Sequence, residues 1–194
     1  MAKHIMLDLE TFSSSSRAAI VSIGAVVFDL ETYTIGESFK VNVDPRSSQA
    51  AGLEIDADTV MWWMHQGEDA VKGLRNPAPL ALDIALGMFR NWAFAVAGTG
   101  YYVWGNGATF DNVVLRSSYA ALGQKAPWHY RKDACYRTMK AMFPIGDVER
   151  SGVHHDSRDD AITQAMHLIK IFKHIRGVTD AEQTEVKAED QVTA

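Results

Sequence analysis

The chain has 194 residues, 47% hydrophobic and 22% charged, which suits one globular domain with its own apolar core and excludes a disordered or fibrous protein. Its one cysteine, Cys135, excludes an internal disulfide and fits a reducing, cytoplasmic setting. The formal net charge of −5 excludes a protein that grips nucleic acid by bulk positive charge, so any such role needs a local basic surface or metal ions.

No signal peptide is expected, because Asp8 and Glu10 interrupt the only apolar run near the start. Residues 4–9 read as a short apolar strand. Residues 20–29 are rich in β-branched side chains and form the clearest strand. Residues 36–43 alternate and give a third strand after a turn near Glu31–Thr34. Short links between the three predict an antiparallel meander. Helical signals follow. Asp56 or Asp58 can cap a helix carrying Val60, Met61, Trp62 and Trp63. Residues 76–79 (Asn-Pro-Ala-Pro) are expected to open a second helix running to about Ala97. Asp83, Arg90 and Asn91 make it an amphipathic helix and not a membrane span. Tyr101–Trp104 reads as a strand, and Gly105 and Gly107 as a breaker, with Thr109 capping a helix to about Leu122. A fifth strand is expected around Trp128–Tyr130, and a helix capped by Asp133 before Pro144. The last helix is predicted from about Asp156 to Ile175, with apolar positions 161, 165, 169 and 172 on one stripe and Gly177 as its stop. The expected organisation is one α/β domain over residues 1–177, with a mixed five-stranded sheet, and a polar, disordered tail over 178–194.

Three motifs carry chemistry. In Asp8-Leu9-Glu10-Thr11 the two carboxylates are i and i+2 of a strand, so they share a face. Two anions so close repel unless a cation sits between them, and a hard divalent ion prefers such oxygen ligands. Alone, the pattern also suits a solvated strand end. In Trp104–Asp111 a strand leads through a glycine turn to a helix whose first turn carries Asp111, at the strand end where α/β sheets bind ligands. An aspartate there also simply suits the helix macrodipole. The third segment, His154–Ala161, joins histidines to aspartates at a helix start. A base beside a metal ligand and an ordinary capped helix both fit it. Periodicity separates neither His154 from His155 nor Asp159 from Asp160.

Together and in this order, the motifs resemble those of the DEDDh branch of the DnaQ-like 3′→5′ exonucleases. That family's Asp-x-Glu-Thr is matched by Asp8–Thr11, and its small-residue turn, phenylalanine and aspartate by Ala108–Asp111. Its histidine five residues before an Asp-Ala pair is matched by His155 and Asp160-Ala161. The sister branch has a tyrosine where this chain has Asp156. The second motif departs from the frequent His-Asn-Ala, reading Asn106-Gly107-Ala108. The Trp62-Trp63 helix and the stretch 133–139 are similar to the exodeoxyribonuclease VIII-like group of small phage and bacterial exonucleases.

The resemblance implies a ribonuclease-H-like fold and hydrolysis of DNA or RNA, single strands favoured, from a free 3′ end. It implies two Mg²⁺ or Mn²⁺ ions held by Asp8, Glu10, Asp111 and Asp160, and His155 as general base. It makes Thr11 a candidate contact to the terminal sugar, and Trp62, Trp63 or Met64 a candidate wedge against the last base. Adjacent helical residues point apart, so both tryptophans cannot face substrate, and core or dimer packing competes for them. A homodimer is also implied. Arg131, Lys132, Arg137 and Lys140 could track phosphates or form a solvated face. Two alternatives compete with this reading. One is a catalytically silent nucleic-acid or partner-binding module on this fold. The other is a haloacid-dehalogenase-type phosphatase, which wants aspartate where Glu10 stands.

Overall fold

The computed structural model describes residues 3–74 and 78–178. Five strands form one sheet: β1 (His4–Thr11), β2 (Ile20–Asp29), β3 (Thr34–Asn42), β4 (Tyr102–Gly105) and β5 (Asp133–Cys135). Their order is β3-β2-β1-β4-β5. β1–β2 and β2–β3 pair antiparallel, whereas β1–β4 and β4–β5 pair parallel. The predicted meander and mixed sheet are therefore present, with β1 at the centre.

The helices are α1 (Pro45–Ala50), α2 (Ala57–Met64), α3 (Glu68–Leu74), α4 (Leu82–Ala97), α5 (Asp111–Ala121), α6 (Tyr136–Met142) and α7 (Ser157–Arg176). They cover both faces of the sheet. Ile5, Leu7 and Leu9 of β1 point to one face and pack with Leu86 and Phe89 of α4 and Leu115 and Tyr119 of α5. Met6 points to the other and packs with Ala161, Ala165 and Leu168 of α7. The alternation of a strand thus carries Asp8 and Glu10 to the α7 side.

Asp56 is the cap of α2, accepting from Thr59 N at 2.9 Å. Asp156 caps α7, and Gly177 ends it in the left-handed conformation. Several expectations are corrected. Trp128 lies buried and Tyr130–Lys132 is a 3₁₀ turn, so the fifth strand falls at Asp133–Cys135 instead. Asp133 does not cap α6. Its carboxylate accepts from Asn112 Nδ2, Arg116 and Trp128 Nε1. Nor does Thr109 cap α5, which starts after Phe110 without a side-chain cap. α4 begins at Leu82, because Leu80 bridges to Val43 as extended chain. Residues 76 and 77 of the expected helix opening lie outside the described residues, as does the predicted tail from 179 onward. α1 and α3 were not anticipated, each being too short to show a periodic stripe. No helix among the described residues is long and apolar enough to cross a membrane.

Candidate active site

Two close approaches set the site's geometry. Gly24 of β2 pairs with Asp8, and a Cβ at Gly24 would overlap the backbone of Ser157 and Arg158. The missing side chain lets the start of α7 lie directly on the sheet, where Ser157 Oγ meets Ser22 Oγ at 2.7 Å. Gly105, at the end of β4, does the same for α5. A Cβ there would stand 2.9 Å from Asp111 Cβ. Asp111 is thereby pressed back over β1, and its Oδ1 accepts from Leu9 N at 3.2 Å.

The result is a cleft of about 560 Å³ lined by Asp8, Glu10, Asp111, His155 and Asp160, together with Arg137, Lys140, Arg150 and Gln164. Ligand atoms of Glu10, His155 and Asp160 lie within 4.8 Å of one another, a spacing that one cation could span. Asp8 and Asp111 line the same cleft outside that trio. Gln164 Nε2 donates to Asp8 Oδ1 at 2.7 Å. The two adjacent aspartates separate clearly. Asp159 accepts from Val153 N at 2.9 Å and from Arg158, so it ties down the preceding loop. Asp160 turns into the cleft, with Oδ2 accepting from His155 N at 3.1 Å and Oδ1 accepting from Arg150.

The electrostatics are those of an under-compensated anion cluster. Burial, then the neighbouring charges of Asp111 and Glu10, holds the Asp8 carboxyl well above the usual range. Burial, Asp111 and Asp156 push Glu10 up to about 8. Burial pushes Asp111 up to about 7. Three carboxyls that resist ionisation in the absence of a cation, with Asp160 beside them, fit a hard divalent ion.

His155 has a left-handed backbone, φ 62°. Its ring meets those of Trp62 and Trp63 edge-on, with centroids 5.2 and 5.6 Å away. Burial and the nearby His154 and Arg150 lower its pKa. Trp63 is only 4% exposed and its Nε1 donates to Thr11 O at 2.9 Å, whereas Trp62 is 47% exposed. Trp63 is thus a core residue bracing the end of β1, and Trp62 is the one open to a ligand. Met64 is more exposed still; neither it nor Trp62 lines the cleft itself, but Trp62 touches the His155 ring at its edge. Thr11 is buried, with its hydroxyl donating to Ser13 O at 2.7 Å. The basic neighbourhood divides. Arg137 and Lys140 line the cleft, while Arg131 lies against Tyr130 and Lys132 against Tyr102. Sequence reasoning missed Arg150 and Gln164, which belong to no motif, and the two glycines, whose contacts lie far along the chain.

The model of the 3′-5′ exoribonuclease Rv2179c-like domain family matches residues 3–172, nearly the whole described chain. The chain belongs to that family. This Rv2179c-like domain is therefore a 3′→5′ exonuclease, which removes the phosphatase alternative. The finer placement beside the exodeoxyribonuclease VIII-like group is not the one the family match names.

Solved structures share its fold at low identity. The nuclease domain of 3′hExo, a DEDDh family member bound to rAMP, is 12% identical with a TM-score of 0.58, over 91% of this chain and 93% of that one. E. coli exonuclease I in complex with a dT13 oligonucleotide is 14% identical with a TM-score of 0.59, over 91% of this chain but only 41% of that one. The cell-death related nuclease 4 is 14% identical with a TM-score of 0.55, over 90% of this chain and 64% of that one. No curated protein matches the chain.

Proposed function

We propose that this Rv2179c-like domain removes nucleotides from the 3′ end of single-stranded RNA, using two divalent ions, Mg²⁺ or Mn²⁺. The observation that carries the reading is the convergence of Asp8, Glu10, Asp111, Asp160 and His155 on one cleft, where burial holds the carboxyls of Asp8, Glu10 and Asp111 above their ordinary range. The family description favours RNA over DNA.

Asp8, Glu10, Asp111 and Asp160 would hold the ions. Bound there, divalent ions relieve charge on the phosphate and acidify a water. A hard ion prefers carboxylate oxygens to imidazole, which leaves His155 free to act as a base. With its lowered pKa, His155 is neutral near pH 7 and accepts the proton of the attacking water. The phosphorus–O3′ bond of the penultimate residue breaks. A 5′-mononucleotide leaves, and the shortened strand keeps a 3′-hydroxyl. Exposed Trp62, beside His155, is suited to stack on the terminal base, an interaction of about 1–3 kcal/mol. The Thr11 hydroxyl is already engaged, so any contact to the terminal sugar runs through the backbone near it. We further propose that residues 1–177 act as one catalytic domain, and that it works as a homodimer in the cytoplasm.

The test is digestion of matched 3′-labelled RNA and DNA single strands. Wild type with Mg²⁺ or Mn²⁺ should release labelled mononucleotide first, and faster from RNA. EDTA or Asp8→Ala should stop it. Release without metal, or equal release by the variant, overturns the mechanism. Faster DNA digestion overturns the substrate, and early release of a 5′ label as mononucleotide overturns the polarity.

A further inference from the structure

Arg150 lies on the link between α6 and α7, and that link is anchored along its length. Gly146 O accepts from Lys170 Nζ at 3.2 Å, Ser151 N donates to Thr163 Oγ1 at 3.1 Å, and Val153 N donates to Asp159 Oδ2 at 2.9 Å. The arginine is thus delivered to the cleft by a fixed backbone. Its guanidinium donates to Asp160 Oδ1 and reaches Val153 O at 3.4 Å. Its charge also acts on Asp8 and Glu10. Of the other cations lining the cleft, Lys140 is paired with Asp147 at 2.6 Å, and Arg137 lies under the Gly107 turn. Arg137 and Lys40 act on Asp111 and Glu10 through their charge, but Arg150 is the cleft-lining cation seen to donate directly to one of the cluster's carboxylates, Asp160.

One carboxylate oxygen cannot serve both a guanidinium and a metal ion without sharing its charge between them. The fork of five N–H donors that suits a carboxylate suits a phosphate equally well. We propose that Arg150 is a substrate-binding residue with two partners. Before metal binds, it holds Asp160 in place. Once a divalent ion takes Asp160, the guanidinium is released and bonds a phosphate oxygen of the nucleic acid in the same cleft. This rests on the reading of the cleft as a metal-dependent nuclease site.

The two halves predict opposite signs for one substitution. In Arg150→Ala, Mn²⁺ titrated calorimetrically into the metal-free protein should bind several-fold more tightly, because its internal competitor is gone. Binding of a 5′-fluorescein single-stranded RNA, read by anisotropy with Ca²⁺ to prevent turnover, should weaken about tenfold or more, the loss of one charged hydrogen bond. Arg150→Lys keeps the charge without the fork and should fall between wild type and Arg150→Ala in both measurements. A variant damaged in its fold would lose both affinities together. Unchanged or weaker Mn²⁺ binding in an Arg150→Ala that unfolds at the wild-type temperature overturns the proposal, as does unchanged RNA binding. Failure of the wild type itself to bind Mn²⁺ would instead overturn the metal-dependent reading on which the proposal stands.

Discussion

His155 combines a left-handed backbone, a ring braced by two tryptophans and a lowered pKa. A non-glycine residue in that conformation is uncommon and persists only where the surroundings impose it. Here the constraint has a chemical use, since it sets the imidazole beside Glu10 and Asp160. Burial is the main cause of the shift, with His154 and Arg150 adding to it, so the imidazole stays neutral below the ordinary histidine range, as the proposed base role requires. The rate at saturating Mn²⁺ should rise with pH through a value under about 6.5 and then level off. His155→Ala should lose about 10²–10⁴-fold in kcat and lose that acid limb with it. A pH–rate profile of the two proteins checks this. An acid limb retained by His155→Ala would assign it to another group. His154 gives a control, because its substitution should keep the limb.

At the scale of elements, the site is an encounter between β1 and the starts of α5 and α7, and two glycines permit it. Gly24→Ala would drive a methyl into the backbone of Ser157 and Arg158, which has no flexible end to move aside. Overpacking of that kind costs about 1–3 kcal/mol. It should also tilt α7 away from the sheet and carry Asp160 off Glu10. The expected outcome is a lower Tm together with weaker Mn²⁺ binding, measured by thermal unfolding and calorimetry. Full metal affinity in a destabilised Gly24→Ala would show that the approach of α7 does not position Asp160.

The same elements show what a sequence can disclose. Asp8 and Glu10 were legible because a strand has a period of two, and that period puts them on one face whatever packs there. α7 was legible from its stripe and its glycine stop. β5 was not, because Asp133–Cys135 has three residues and no apolar run, and becomes a strand only by pairing with β4. The aromatic cluster at Trp128–Tyr130 drew the expectation away from it, although Trp128 is needed in the core. Asp159 and Asp160 differ only in which way the preceding loop folds over them, as Asp159's bond to Val153 N makes plain. Gly24, Gly105, Gln164 and Arg150 take their meaning from contacts made after folding, so no local pattern marks them.

For the whole molecule, the carboxylate cluster links stability to both pH and metal. In the metal-free fold Glu10 is raised to about 8 and Asp111 to about 7, with Asp8 raised as well. The folded state therefore binds more protons than the unfolded chain as pH rises from the ordinary carboxylate range to about 8, and stability must fall across that window. His4, His154, His155 and His167 are lowered and act in the opposite direction, but only up to about pH 7.5, by which point even an unfolded histidine has lost nearly all of its proton. The interval above about pH 7.5 thus isolates the carboxylates, Glu10 foremost. A metal ion at the proposed site would bind the folded, deprotonated form alone, so it should stabilise by mass action and by more at higher pH. Metal-free protein should lose Tm between about pH 7.5 and 8.5, by about 2–4 °C for each kcal/mol. Mn²⁺ should restore it, with the larger increase at pH 8. Asp8→Asn, which removes one of the clustered charges, should melt higher than wild type without metal and respond far less to Mn²⁺. Scanning fluorimetry on this grid is decisive. A metal-induced rise independent of pH, or an Asp8→Asn protein no more stable than wild type at pH 8, would mean that the cluster is not the strained anionic site described above.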